Sequence, residues 1–302
     1  MMIRALLTLL GMLLASSTLA GGTDISPSDV YAQVLQVEKE TELIRRHFKI
    51  TAQPAPSPVH ADLLPRHVWQ KSYMVLVQIN VFRRRHGLIT IAPVGIEPLP
   101  KLDSHYTWAQ AQRILTEIRI VRKLLGIAGD VGVAPQVAGK RPIDVFNKLD
   151  EVSRLWDTLS GAELDASLTY AEAIRINDDI EAVLHQLHIS DTALPPPKRP
   201  DATPKDALDK AFVLMDGIQR LQRVLGIETV DFGVFRKSEN VTAADVFNMT
   251  GMALAEFQLV KAKIGLHHAI TPPATYQEGK KPSDVAQVLG YAASKLTLIQ
   301  RL

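Results

Sequence analysis

The chain has 302 residues, of which 46% are hydrophobic, 22% charged and 6% aromatic. This composition is sufficient for a sizeable core and excludes global disorder. A formal net charge of +2 does not provide the concentrated basic face that nucleic-acid binding needs, and the absence of cysteine excludes disulfides, thiolate metal sites and a cysteine nucleophile.

Residues 1–20 have the pattern of a secretory signal peptide. Arg4 precedes an apolar stretch at residues 5–15, and small residues precede a potential cleavage site after Ala20. A membrane anchor is the alternative, but the stretch is short against the roughly 20 residues of a spanning helix. No later segment is apolar enough to span. We therefore predict a mature chain that is periplasmic or secreted and has no membrane span.

The remaining chain repeats itself. A shift of 139 places Pro56, Pro58 and Pro65 on later prolines. At a shift of 140, the segment 139–145 (GKRPIDV) matches 279–285 (GKKPSDV). Because internal repetition determines the architecture, we predict a tandem duplication with a first four-helix unit at residues 21–163 and a second at 164–302.

A shorter pattern occurs eight times, and it predicts the helices. Its anchor positions are Val30, Val68, Thr107, Val145, Thr169, Ala207, Val246 and Val285. Residues 7, 11 and 14 positions after each anchor are apolar, with Thr41 as the single polar exception. This 3-4 spacing is typical of the buried seam of a packed helix.

The ends of each pattern carry helix-terminal signals. Proline in the first turn, as at Pro27 and Pro204, is compatible with a helix start, and glycine followed by an apolar residue, as at Gly87-Leu88, is typical of a left-handed C-terminal cap. We predict helices near 27–49, 65–87, 104–126, 142–160, 167–188, 204–226, 243–265 and 282–301. The second is apolar around much of its circumference, which predicts a position in the centre of its bundle or in an interface, and we favour the centre.

The predicted fold class is all-α. The long connectors, roughly 15 residues each, allow two up-down four-helix bundles or one eight-helix α-solenoid-like stack. A parallel bundle is sterically possible, because 15 extended residues reach further than a 22-residue helix is long. It would bring the basic last turns together, and we therefore favour the other two arrangements.

Two sets of residues are candidates for ligand or partner contact. Basic residues near helix C-termini are explained by the negative end of the helix dipole, but the run Arg83, Arg84 and Arg85 exceeds what capping needs. Trp69 and Trp108 occupy corresponding places on neighbouring helices and could form a ligand box, although core or interface packing is the simpler interpretation. Trp156 lies on the seam and is predicted to be core.

We predict no catalytic residues, cofactor or metal. The acidic runs Glu38/Glu40/Glu42 and Asp178/Asp179/Glu181 are interpreted as solvated helix faces, because acid–base work requires desolvated carboxylates side by side. His185 and His188 lie three apart but have no third ligand nearby. Phosphate-loop, nucleophile-elbow and metalloprotease motifs are absent from the sequence.

These features predict a non-enzymatic helical-repeat protein that acts as a binding or scaffolding module in the bacterial cell envelope, with an envelope protein as partner. The groove between the halves and the long connectors are the expected contact surface. The alternative is a periplasmic small-molecule binding protein that holds an apolar or anionic ligand in or between the bundles. The sequence leaves the oligomeric state open.

Overall fold

The computed structural model describes residues 24–54, 58–93, 95, 98–161, 164–273 and 275–300. The predicted signal peptide lies outside these residues. The described residues form eight α-helices and one 3-10 helix, with no strand. The helices are α1 (Pro27–His47), α2 (Pro65–Arg85), α3 (Ser104–Leu124), α4 (Pro142–Ser160), α5 (Ala166–Gln186), α6 (Pro204–Val224), α7 (Ala243–Lys263) and α8 (Pro282–Ile299), and the 3-10 helix is Gly233–Phe235.

The helices begin and end where local chemistry requires. Thr203 caps α6 by accepting from the backbone N–H of Asp206, whose carboxylate accepts from the backbone N–H of Thr203. At the end of α2, Gly87 has φ +65° and the Leu88 N–H donates to the carbonyl of Arg83 at 2.8 Å, which is a Schellman cap. The predicted helices are therefore confirmed, with boundaries shifted by at most two residues.

The core lies inside two four-helix units. The three seam positions of each helix are at most 6% exposed, as the 3-4 spacing predicts. In the first unit α1 contacts α3 and α4, and α2 contacts the same two helices; in the second unit α5 contacts α7 and α8, and α6 does the same. Each unit is thus a closed ring in which consecutive helices such as α1 and α2 lie diagonally opposite. The tandem four-helix arrangement is confirmed as two closed bundles.

The four helices of each unit run parallel, so the up-down arrangement that we favoured is wrong. Between α1 and α4, Ser28 Oγ accepts from the backbone N–H of Lys140 and Glu38 pairs with Lys148, so both chains advance in the same direction. In the second unit the first turns of all four helices meet around one small gap, which is lined by Ala166, Thr169, Pro204, Ala207, Ala243, Val246, Pro282 and Val285. The long connectors return the chain along the full length of each bundle.

The parallel arrangement avoids the crowding of basic last turns that we expected, because the cations pair with carboxylates on neighbouring helices. Glu40 on α1 accepts from Arg119 and Arg122 on α3, and Arg83 on α2 pairs with Glu117 on α3 at 2.6 Å. Arg83 also donates to the carbonyl of Ile89 in the connector. Each carboxylate offsets repulsion between the helix ends.

A cross-linking experiment tests the parallel arrangement, and the native chain contributes no background because it contains no cysteine. Glu38→Cys with Lys148→Cys should be joined by a short bismaleimide, because these side chains contact each other at 3.3 Å. Ser28→Cys with Asp157→Cys should not be joined, because Ser28 lies beside Lys140 and Asp157 is roughly 25 Å further along the parallel helix at 1.5 Å per residue. An antiparallel α1 and α4 would keep the mid-helix pair close and would also bring Ser28 near Asp157, so cross-linking of the second pair, detected by electrophoresis after proteolysis, would contradict the parallel arrangement.

The two units run in opposite directions and meet mainly through α2 and α7. His67 contacts Glu256, whereas Gln70, further along α2, lies against the earlier Gly251, so these helices are antiparallel. The short link between Ser160 and Ala166 accounts for the reversal, since α4 and α5 share one end of the molecule. The predicted boundary at residue 163 lies within this link, at a position outside the described residues. None of the helices described has the length and hydrophobicity needed to cross a bilayer.

Candidate binding region between the two units

An apolar cluster holds the two units together. It contains Trp69, Tyr73, Met74 and Val77 of α2 together with Leu164 and Phe247 of the second unit. All are at most 9% exposed, and the rings of Trp69 and Tyr73 stack at 6.1 Å. Within its own unit α2 is one of four helices in a ring, and it also packs on α7 of the second unit. Its apolar circumference therefore reflects a position in the interface between the units, and the central position in its bundle that we favoured is wrong. Two clusters of buried charges lie beside this apolar contact.

The first cluster surrounds Glu256 of α7, whose side chain is fully buried. Its Oε1 accepts from Arg66 Nε at 2.8 Å and from His67 Nε2 at 2.6 Å, both on α2. Its Oε2 accepts from Gln222 of α6 at 2.7 Å. Burial opposes ionisation, but the hydrogen bond from His67 and the charge of Arg66 lower the pKa of Glu256 to about 2.

His67 is a neutral donor in this cluster. Its Nδ1 accepts from the backbone N–H of Leu64 at 2.9 Å, so the ring proton resides on Nε2 and points at Glu256. Burial lowers the pKa of His67 more than the hydrogen bond to Glu256 raises it. The position at the start of α2 therefore serves two purposes, because His67 caps its own helix and bridges to the second unit.

The second cluster lies on the α5 side of the junction. The Arg175 guanidinium stacks 4.2 Å from the Tyr73 ring and pairs with Glu172 at 2.7 Å. Glu172 Oε1 is buried without a hydrogen-bond partner, and burial raises the pKa of Glu172. One turn further along α5, Asp179 pairs with Lys261 at 2.5 Å and accepts from the Thr271 hydroxyl.

Two residues of the acidic runs are buried, so the interpretation of those runs as solvated faces is wrong at these positions. Glu40 is 3% exposed and Asp179 2%, and each pairs with a cation on the third helix of its unit. The sequence repeat could have identified these buried ion pairs. Residues 40 and 179 differ by 139, as do their partners Arg122 and Lys261, so the repeat conserves an acid–base pair in register.

An open cleft of about 810 Å³ lies at one end of the α2–α7 contact, and we call it the junction cleft. One wall is the connector and start of α2; the other is the end of α7 and the connector that follows α6. Its lining includes His60, Asp62, Leu64, Arg66, Glu228, Asp231, Val234, Leu259 and Lys263. Because Arg66 is neutralised by Glu256, the acidic residues exceed the free cations here.

A smaller cavity of about 220 Å³ lies toward the other end of the same contact, and we call it the junction cavity. Tyr73, Val77 and Arg84 of α2 line it from the first unit, and Leu168 and Phe247 are among its residues from the second. Connector residues 90–93 and Pro273 complete its walls. Both spaces depend on the packing of the two units against each other.

The predicted contact residues occupy different environments. Trp69 is buried between the units, Trp108 is half-buried against the core of the first unit, and Trp156 is fully buried, as predicted. The structure does not bring Trp69 and Trp108 into one aromatic box: no contact between their rings occurs among the described residues.

The three arginines also separate. Arg83 is buried against Glu117, Arg85 donates to the carbonyl of Ser160, and Arg84 stacks 4.3 Å from the Tyr276 ring. Of the three, Arg84 alone lines the junction cavity. The charged clusters at Glu256 and Glu172 were not predicted as site residues.

Within the described part of the chain, no group of three or more histidine and carboxylate side chains is arranged to hold a metal ion. Comparisons with protein-family models, with curated proteins and with solved structures found no match to this chain.

Proposed function

We propose that the protein is a non-enzymatic binding module of the bacterial cell envelope, exported by its signal peptide, and that the junction cleft is its contact surface. The observation that carries this proposal is the cleft itself. Its volume of about 810 Å³ lies within the range of specific binding sites, which occur preferentially at domain interfaces. The buried charges nearby support a binding role, because they pair with each other and hold the walls in place.

The charge and shape of the cleft favour a basic, extended segment of a protein partner. Asp62, Glu228 and Asp231 line the cleft, and such a surface attracts cationic side chains and raises the association rate. Leu64 and Val234 are 38% and 43% exposed and provide apolar contacts within it. A segment that carries lysine or arginine beside apolar residues would therefore complement both properties.

A matched pair of substitutions tests the proposed contact surface. Leu259→Trp fills the cleft from its α7 wall, whereas Ile120→Trp changes the position 139 residues earlier, which is 42% exposed on α3 and outside the cleft. We expect Leu259→Trp to lose the envelope proteins that the mature wild-type protein captures, and Ile120→Trp to retain them. Quantitative mass spectrometry after pull-down measures the difference.

Charge reversal provides a second test of the same surface. Glu228→Lys in the cleft should weaken capture, while Glu239→Lys, which makes the same charge change outside the cleft lining, should not. Circular dichroism and urea unfolding must show that all four variants fold as the wild type does. Equal capture by the cleft variants and their controls would contradict the proposal.

A further inference from the structure

We infer that the junction cavity binds a small monocarboxylate whose body is a single aromatic ring or a short apolar chain, with Arg84 as its charge partner. This site is separate from the junction cleft. The inference comes from the juxtaposition of one uncompensated cation with a partly open space between the units, whose lining includes the apolar side chains of Val77, Leu168 and Phe247.

Arg84 is the cation available to a ligand. Arg175 also lines the cavity, but Glu172 neutralises it at 2.7 Å. Arg84 is exposed, and among the described residues it forms no ion pair within 4 Å. Its guanidinium carbon lies 4.3 Å from the centre of the Tyr276 ring, a contact that uses none of its N–H groups as ion-pair donors and leaves them for a carboxylate.

The interior of the cavity suits an apolar body. Val77, Leu168 and Phe247 line it, together with the ring of Tyr73. Burial raises the pKa of Tyr73 to about 12, so its phenol stays neutral at physiological pH and places no negative charge beside a bound anion. Because Arg84 lies near the exposed C-terminal end of α2, a ligand would insert its apolar part and leave its carboxylate at the mouth.

Size and charge restrict the ligand further. Apolar cavities of about 150 Å³ hold benzene, so about 220 Å³ accommodates one ring with a short acidic substituent. Glu172 and Arg175 offset each other in the cavity wall, so Arg84 provides one uncompensated positive charge, which pairs with one anionic group. A monoanion is therefore favoured over a phosphate ester or a dicarboxylate.

Three probes of similar shape and different charge test the inference: phenylacetate, 2-phenylethanol and phenethylammonium. Trp69 stacks on Tyr73 at 6.1 Å, so intrinsic fluorescence of the full chain should report occupancy, and calorimetry gives the dissociation constants. We expect saturable binding of phenylacetate, weaker binding of the alcohol and none of the ammonium. Arg84→Gln should weaken phenylacetate binding about 10- to 100-fold, as expected for a charge-assisted hydrogen bond.

Two further variants make the result decisive. Arg85→Gln removes the neighbouring cation, which faces Ser160 instead, and should leave binding unchanged. Val77→Phe fills the cavity and should abolish binding of phenylacetate and the alcohol. No saturable phenylacetate binding, binding that survives Val77→Phe, or equal losses in Arg84→Gln and Arg85→Gln would each overturn the inference. None of these outcomes bears on partner capture at the junction cleft.

Discussion

Glu256→Ala is expected to lower the free energy of unfolding by about 3–5 kcal/mol, the usual cost of breaking a buried ion pair by removing one partner. The substitution leaves Arg66 and His67 without their common acceptor inside the contact between the units, while Gln222 keeps its bond to the carbonyl of residue 256. Because two of these donors lie on α2 and the acceptor lies on α7, the substitution weakens the contact between the two units. Urea unfolding followed by circular dichroism should change from one transition toward two.

Glu117→Ala is the matched control, because Glu117 precedes Glu256 by 139 residues. It pairs with Arg83 inside the first unit, and Arg83 keeps bonds to the carbonyls of Ile89 and Glu117 itself. We expect a smaller loss, about 1–3 kcal/mol, without separation of the units. Equal effects of the two substitutions would contradict a special role for Glu256 in joining the units.

The same cluster makes stability depend on pH. The pKa of Glu256 is lowered from its ordinary value of 4.5 to about 2, so its contribution is complete above about pH 5 and is lost as the pH falls toward 2. The lowered pKa of His67 acts in the same direction, with stability declining as the pH falls below its ordinary 6.5. Thermal unfolding between pH 7 and 2 should therefore show a steeper acid loss for the wild type than for Glu256→Gln.

The helices and the core were predictable because they depend on local chemistry that the sequence repeats. Proline and capping residues mark each start, glycine followed by an apolar residue marks most ends, and the 3-4 spacing defines the buried stripe. Thr41 illustrates how well the register holds. The one polar seam residue is still fully buried, because its hydroxyl donates to the carbonyl of Val37 one turn earlier.

The direction of the helices could not be predicted from the same signals. A buried stripe is compatible with a parallel or an antiparallel neighbour, and we decided between them from like charges at the helix ends. The expected repulsion does not arise, because carboxylates on neighbouring helices pair with these cations. Glu40 and Glu117 lie in the middle of their helices, and only the parallel arrangement brings them beside Arg122 and Arg83.

The contact between the units involves α7 but not the equivalent helix α3, and it depends on side chains that differ between the two repeats. α7 corresponds to α3 at a shift of 139, yet α7 packs on the other unit and the outer face of α3 does not. The difference is side-chain size. Small residues on α7 replace larger polar ones on α3: Ala244 for His105, Gly251 for Gln112, and Ala255 for Thr116. Small side chains let α2 approach α7 closely, as helix packing requires at a tight crossing.

Gly251→Gln, which installs the side chain of α3, should therefore cost about 3 kcal/mol through overpacking and separate the units. A Cβ at residue 251 would already lie in van der Waals contact, 3.8 Å from Gln70 Cβ and 3.9 Å from Glu172 Oε1, and a glutamine adds four heavy atoms beyond it in this buried position. Gly251→Ala should instead be neutral or stabilising by up to about 1 kcal/mol, because alanine fits and favours the helix. Urea unfolding of both variants measures the difference.

The reciprocal substitution, Gln112→Gly on α3, separates the effect of the contact between the units from the effect of helix propensity on stability. Gln112 donates to Gln33 on α1, and Gln112→Gly should cost only about 1 kcal/mol for glycine in a helix plus about 1 kcal/mol for one lost hydrogen bond. It should leave the unfolding of the two units coupled. If Gly251→Gln were tolerated as well as Gly251→Ala, close approach at α7 would not explain why the units join through α2 and α7. If Gln112→Gly uncoupled the unfolding of the two units, α3 would have to take part in the contact between them.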